Sequence, residues 1–157
     1  MQREFRGRVI LAGAASGKAL VTHAGFNSLA VFYESMIAGS NRAVCSDQNN
    51  PELYGKDLKD RIICLPRTSG STSAGATWDT VATLKIAPKA MLFSQPIDSL
   101  GAAGLILADQ WAGLRIITID QLGEAFLEFV EEESLITIFQ YGLVRVEKVI
   151  KSDTLKG

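Results

Sequence analysis

Short apolar runs recur along the chain, each ended by Gly, Pro, Ser or Asn, and their spacing predicts most of the elements. Gly7-Arg8-Val9-Ile10-Leu11 reads as a strand, Gly13-Ala14-Ala15-Ser16-Gly17 as a turn, and Lys18-Ala19-Leu20-Val21-Thr22 as a second strand, together a hairpin. Residues 24–60 lack clean periodicity: Leu29-Ala30-Val31-Phe32-Tyr33 suggests a short strand, and Ser46-Asp47-Gln48-Asn49-Asn50-Pro51-Glu52 is loop chemistry. From Arg61 onward strand and helix alternate. Arg61–Leu65 is an apolar strand, 74–86 a helix stopped by Pro88, Lys89–Phe93 a strand, and 99–108 a glycine-spaced helix. Leu114–Ile119 is a strand and 121–130 a short helix. Ser134–Ile138 and Leu143–Glu147 close as a hairpin around Tyr141-Gly142. The expected architecture is one α/β domain over 1–157, with its core at about 7–147 and a polar tail at 151–157: strands at both ends of a βαβαβ middle.

Between the strand ending at Leu65 and the helix starting at about Ala74 lies Pro66-Arg67-Thr68-Ser69-Gly70-Ser71-Thr72-Ser73. A polar turn from strand to helix gathers unpaired backbone N–H groups at the positive end of the helix dipole, which suits a carboxylate or phosphate. One cap needs one hydroxyl; Thr68, Ser69, Ser71, Thr72 and Ser73 supply five. Arg67 is a candidate for a substrate carboxylate, and Asp120, at a strand's C-terminal end, is placed either for function or to cap the next helix. The glycine turn at 13–17 is not a phosphate-binding P-loop, because three residues separate its glycines and Ala19 follows Lys18.

The charge balance narrows the partners. Lys and Arg total 16 against 17 Asp and Glu, a net charge of −1 without basic runs, which argues against nucleic acid. No apolar stretch is long enough to span a bilayer, and the charged start Met1-Gln2-Arg3-Glu4-Phe5-Arg6 is unlike a signal peptide, so a cytoplasmic protein without a membrane partner is expected. Cys45 and Cys64 are too few for a disulfide framework or a zinc site, and His23, the single histidine, has no evident orienting partner. The expectation is that this chain itself binds no metal or cofactor.

Several segments in order resemble the small subunit, or swivel domain, of the aconitase X family: Gly7-Arg8-Val9-Ile10, Ala19-Leu20-Val21, Asn50-Pro51-Glu52-Leu53-Tyr54-Gly55-Lys56-Asp57-Leu58, and Leu65-Pro66 with Ser69-Gly70-Ser71-Thr72. Ala87-Pro88-Lys89-Ala90-Met91-Leu92-Phe93 and Ile116-Ile117-Thr118-Ile119-Asp120 fit as well. The resemblance implies a swivelling β/β/α domain, with a mixed sheet or barrel and a few short helices, docked on a larger catalytic subunit. That subunit would hold an iron–sulfur cluster. The activity implied is dehydration of a small hydroxy acid, cis-3-hydroxy-L-proline or, in another branch, mevalonate 5-phosphate. The family's base falls on Ser71, with Arg67, Ser69, Gly70, Thr72 and Ser73 around the substrate. Ser69 stands where many relatives have arginine, and Phe32-Tyr33-Glu34-Ser35-Met36 replaces a Gly-Gly-Val-Asp-like segment. The residues alone also allow a non-catalytic anion-binding module or a plain helix cap.

Overall fold

The computed structural model describes residues 1–69 and 74–149. Eight strands and four helices follow one another as β1 (Gln2–Arg6), β2 (Arg8–Leu11), β3 (Ala15–Val21), α1 (Ser28–Ala38), β4 (Ile62–Leu65), α2 (Ala74–Thr83), β5 (Ala90–Phe93), α3 (Ser99–Trp111), β6 (Ile117–Asp120), α4 (Glu124–Phe129), β7 (Leu135–Ile138) and β8 (Leu143–Glu147). The strands form one mixed sheet in the order β1-β8-β7-β3-β4-β5-β6-β2. β3, β4, β5 and β6 run parallel, and β7, β8 and β1 extend antiparallel from β3.

The two ends of that order are β1 and β2, neighbours in sequence across Gly7, so one chain segment joins both edges into a nearly closed barrel. At the junction the Gly7 N–H donates to the Gly142 carbonyl at 3.0 Å. A Cβ on Gly7 would stand 2.4 Å from the Asp120 carbonyl oxygen and 2.7 Å from Ile119 Cγ2. A backbone oxygen held in a barrel strand cannot retreat as a side chain can. Gly7→Ala is therefore expected to cost roughly 1–3 kcal/mol, the usual range for overpacking; an unchanged urea midpoint would contradict this account of the closure.

Strand alternation sorts side chains into two cores. Ile62 and Cys64, Ala90 and Leu92, and Ile117 and Ile119 point into the barrel, where they meet Phe5, Ile136, Ile138, Val144 and Val146, with Phe126 and Phe129 of α4. The intervening Ile63, Leu65, Met91 and Phe93 face the helices and meet Val31, Phe32, Trp78, Val81 and Leu105. Antiparallel strands, parallel strands and helices thus form the β/β/α layers expected. Among the described residues no helix is long and apolar enough to cross a membrane.

Two expectations are corrected. The strands at 7–11 and 18–22 do not form a hairpin: β2 pairs with β6, while β3 pairs with β7 over Ala15–Lys18 and with β4 over Ala19–Val21. Leu29–Tyr33 is not a strand but lies within α1. Asn27 caps that helix by accepting the Ala30 N–H, Gly39 ends it at φ 58°, and its buried face is Ser28, Val31, Phe32 and Ser35.

Candidate functional site

The C-terminal ends of the parallel strands share one edge, where open α/β sheets place their functional groups. β3 leads there into Thr22–Asn27, β4 into Pro66–Ser69 and then the serine-rich turn, and β5 into Ser94–Asp98. The expected strand–turn–helix frame is present, with β4 ending at Leu65 and α2 starting at Ala74. Gly70, Ser71, Thr72 and Ser73 lie outside the described residues.

The approach to that turn is held from two sides. Phe26 N–H donates to the Arg67 carbonyl and Ser69 N–H to the Phe26 carbonyl, both at 2.9 Å, so the segment after β3 runs beside the segment after β4. Gly25 makes room for this: a Cβ there would lie 2.9 Å from both Cβ and Oγ of Ser69. On the other side the Thr68 hydroxyl donates to Asp98, which also caps α3 by accepting the Gly101 N–H at 3.1 Å. Burial pushes the Asp98 carboxyl up, but the hydrogen bonds from Thr68 and from Gly101 outweigh it and hold it below the usual carboxylate range. An ionised carboxylate already occupies the positive end of α3, which leaves the end of α2 as the one beside the serine-rich turn.

Arg67 is exposed on the rim of a cleft of about 240 Å³, lined also by His23, Pro66, Ser94, Gln95, Glu124, Leu127 and Glu128. Ser69 is exposed next to it. A second cleft of about 400 Å³ adjoins, sharing His23 and Glu128 and bounded by Glu52, Lys56, Glu131 and Glu132. The sequence offered His23 no partner; the structure does. Its Nδ1 lies 2.8 Å from Glu52 Oε2. Nothing in the sequence links the two, which are 29 positions apart in a region without periodicity.

Asp120 leaves the list of candidates. It is fully buried, its two oxygens accept from Arg8 Nε at 2.9 Å and Nη2 at 2.7 Å, and one of them also accepts the Ile97 N–H at 2.8 Å. It ties β2 and the segment after β5 together and does not cap α4, whose capping residue is Gly123. Tyr33 and Glu34 sit exposed on α1. Both cysteines are buried in different cores, Cys64 within the barrel and Cys45 on the helix side, and burial pushes both thiols up. The two thiols thus lie in separate cores and do not converge on one site. Among the described residues no group of three or more His, Cys, Asp or Glu could hold a metal ion.

A model of the aconitase X swivel domain matches residues 4–146. The fold is similar to that of Thermococcus kodakaraensis aconitase X in its holo-form, with a TM-score of 0.76 and 19% identity over 93% of this chain and 99% of that one. It is also similar to the solution NMR structure of a UPF0107 protein, with a TM-score of 0.71 and 22% identity over 95% of this chain and 100% of that one. No curated protein matches the chain. At these identities the two structures establish a shared fold, and the sequence match carries the family. The chain belongs to the aconitase X swivel-domain family.

Proposed function

We propose that the chain is the small subunit of a hydro-lyase of the aconitase X type, which dehydrates cis-3-hydroxy-L-proline in complex with a larger catalytic subunit. The observation that carries this is the placement of Arg67. Its guanidinium stands at the C-terminal edge of the parallel sheet, in a small cleft, on the segment that leads into the serine-rich turn. A guanidinium there suits a substrate carboxylate. Glu124 and Glu128 line the same cleft and suit a cationic ring nitrogen. A phosphate dianion would meet two carboxylates against one arginine, which favours the amino acid over mevalonate 5-phosphate.

In this reading Ser71 takes the proton next to the carboxylate. The electron pair left on carbon forms the new double bond as hydroxide departs from the neighbouring carbon, so that proton and hydroxide together make the water released. A serine hydroxyl is too weak a base unless fixed dipoles and cations stabilise its ionised form. Arg67 and the N-terminus of α2, which flank Ser71 in sequence, are the candidate sources of such a field, and Ser69, Gly70, Thr72 and Ser73 are the substrate-binding residues of this reading. The iron–sulfur cluster belongs to the larger subunit, since the cysteines of this chain do not suit one.

A docked partner also accounts for apolar groups on the helix layer. Leu100, Ile106 and Trp111 of α3 and Tyr33 and Ile37 of α1 are exposed, Trp111 to 74%. The test is co-expression with a larger subunit of the aconitase X type from the same source, followed by a dehydration assay on cis-3-hydroxy-L-proline, with mevalonate 5-phosphate as the discriminating control. Turnover of the first alone supports the proposal; turnover of the second alone would replace the substrate. A stable complex that binds anions without turnover would make the domain a binding module.

A further inference from the structure

A side-chain pair that proton abstraction leaves unused joins the segment after β3 to the loop between α1 and β4. Glu52 Oε1 accepts the His23 backbone N–H at 2.6 Å and the Thr22 hydroxyl at 3.1 Å, while Oε2 faces His23 Nδ1 at 2.8 Å. The carboxylate is therefore held at both oxygens, by backbone as well as side chain. Thr22 in turn contacts the Asn50 side-chain oxygen at 3.2 Å, and Asn50 is buried. The anchoring thus reaches from the cleft into the fold, unlike an ordinary surface ion pair between two long, freely moving side chains.

That anchoring decides the tautomer. Burial pushes the Glu52 carboxyl up, but the hydrogen bonds from the His23 backbone and ring and from Thr22 outweigh it, so the group lies below the usual carboxylate range and is ionised at neutral pH. An ionised carboxylate has no proton to give, so the proton between the pair sits on Nδ1. A ring with its one proton on Nδ1 carries its lone pair on Nε2, which has no hydrogen-bond partner among the described residues. The ring lines the same cleft as Arg67, with 59% of its side chain exposed.

We infer that His23 is a specificity residue of this cleft: Nε2 accepts the hydrogen bond of a hydroxyl on a small carboxylate whose carboxyl group Arg67 holds, and Glu52 is the positioning residue that fixes the ring. No proton leaves the ligand in this contact. The inference rests on the cleft being the ligand site of the reading above. It adds to that reading a reason why a hydroxy acid is bound in preference to the same acid without its hydroxyl.

The single histidine makes the test direct, because its ring nitrogens give unambiguous signals in the nitrogen-15-labelled full chain. Glycolate is the probe, with acetate as the control that lacks the hydroxyl. The free chain is expected to show the Nδ1–H tautomer, and glycolate to shift Nε2 saturably, about tenfold or more tighter than acetate. Arg67→Gln weakens both ligands. Glu52→Gln scrambles the tautomer and removes the discrimination, a signature that loss of a purely structural contact would not produce. A ring that responds equally to both acids, responds to neither, or keeps its tautomer in Glu52→Gln overturns the inference. If discrimination holds but the complex dehydrates no hydroxy acid, the dehydratase reading falls and the site stands. If the complex is active while the ring ignores glycolate, the site assignment falls alone.

Discussion

Ser71→Ala, introduced into the two-subunit complex, is expected to lower kcat about a thousandfold, the scale on which a positioned base contributes. The substitution removes one oxygen atom, so chain folding and complex assembly are expected to persist. In the proposed reading Arg67, and not the serine, holds the carboxylate, so KM for the hydroxy acid should change little. Arg67→Gln has the opposite signature, a rise in KM that exceeds the fall in kcat. A Ser71→Ala complex that turns over at the normal rate would place the base elsewhere and leave the serine-rich turn as a binding or capping segment.

Trp78→Ala is expected to cost about 3–5 kcal/mol, the range for truncating a fully buried aromatic side chain. Trp78 is fully buried on α2, stacked on Phe26 at 6.1 Å with an interplanar angle of 8°, and edge-on to Phe32 at 5.4 Å. These three rings join the segment after β3, helix α1 and helix α2. Losing the indole opens a void between the segment after β3, α1 and α2, and a cavity costs more where its walls cannot collapse. The indole N–H has no partner among the described residues, so the loss is one of packing and burial and not of a hydrogen bond. Against a typical total stability of roughly 5–15 kcal/mol, thermal unfolding should fall by about 10 °C or more. A shift of only a degree or two would show that the aromatic cluster is not what holds α1 and α2 to the sheet. Trp78→Phe, which keeps a ring, should recover most of the loss.

The parallel part of the fold was legible because its central strands are buried on both faces: Ile62–Leu65 and Ala90–Phe93 read as unbroken apolar runs, and Ile117–Asp120 continues the run that starts at Leu114 with only Thr118 and Asp120 polar in the strand itself. The hairpin of β7 and β8 was legible from its turn. β1 was not, since Gln2–Arg6 buries only Phe5 and its pairing with β8 spans nearly the whole chain. Within helix α1, Leu29–Tyr33 suggests a short strand because half of the helix's buried face is serine, Ser28 and Ser35, which breaks the apolar stripe. The signals that would have corrected it were the cap at Asn27 and the stop at Gly39. Proximity of β2 and β3 in sequence suggested a hairpin, yet each finds its partners across the barrel, a choice set by closure and not by local spacing.

The site divides in the same way. The strand–turn–helix frame, with β4 ending at Leu65 and α2 starting at Ala74, was legible because a local pattern between a strand and a helix needs no tertiary information. Asp120 looked functional from its place at a strand end, and only its burial against Arg8 and the Ile97 N–H shows its structural task. The His23–Glu52 pair was invisible for the converse reason: two unremarkable loop residues become a unit only when the loops meet.

The central claim is that this domain contributes to a dehydratase made of two chains. The most direct measurement is dehydration of cis-3-hydroxy-L-proline by this chain alone, by the larger subunit alone, and by the two purified together. The account predicts turnover only in the third sample, lost again when Ser71→Ala is used. Turnover by the larger subunit alone at the rate of the pair, or failure of the two chains to associate, would contradict it.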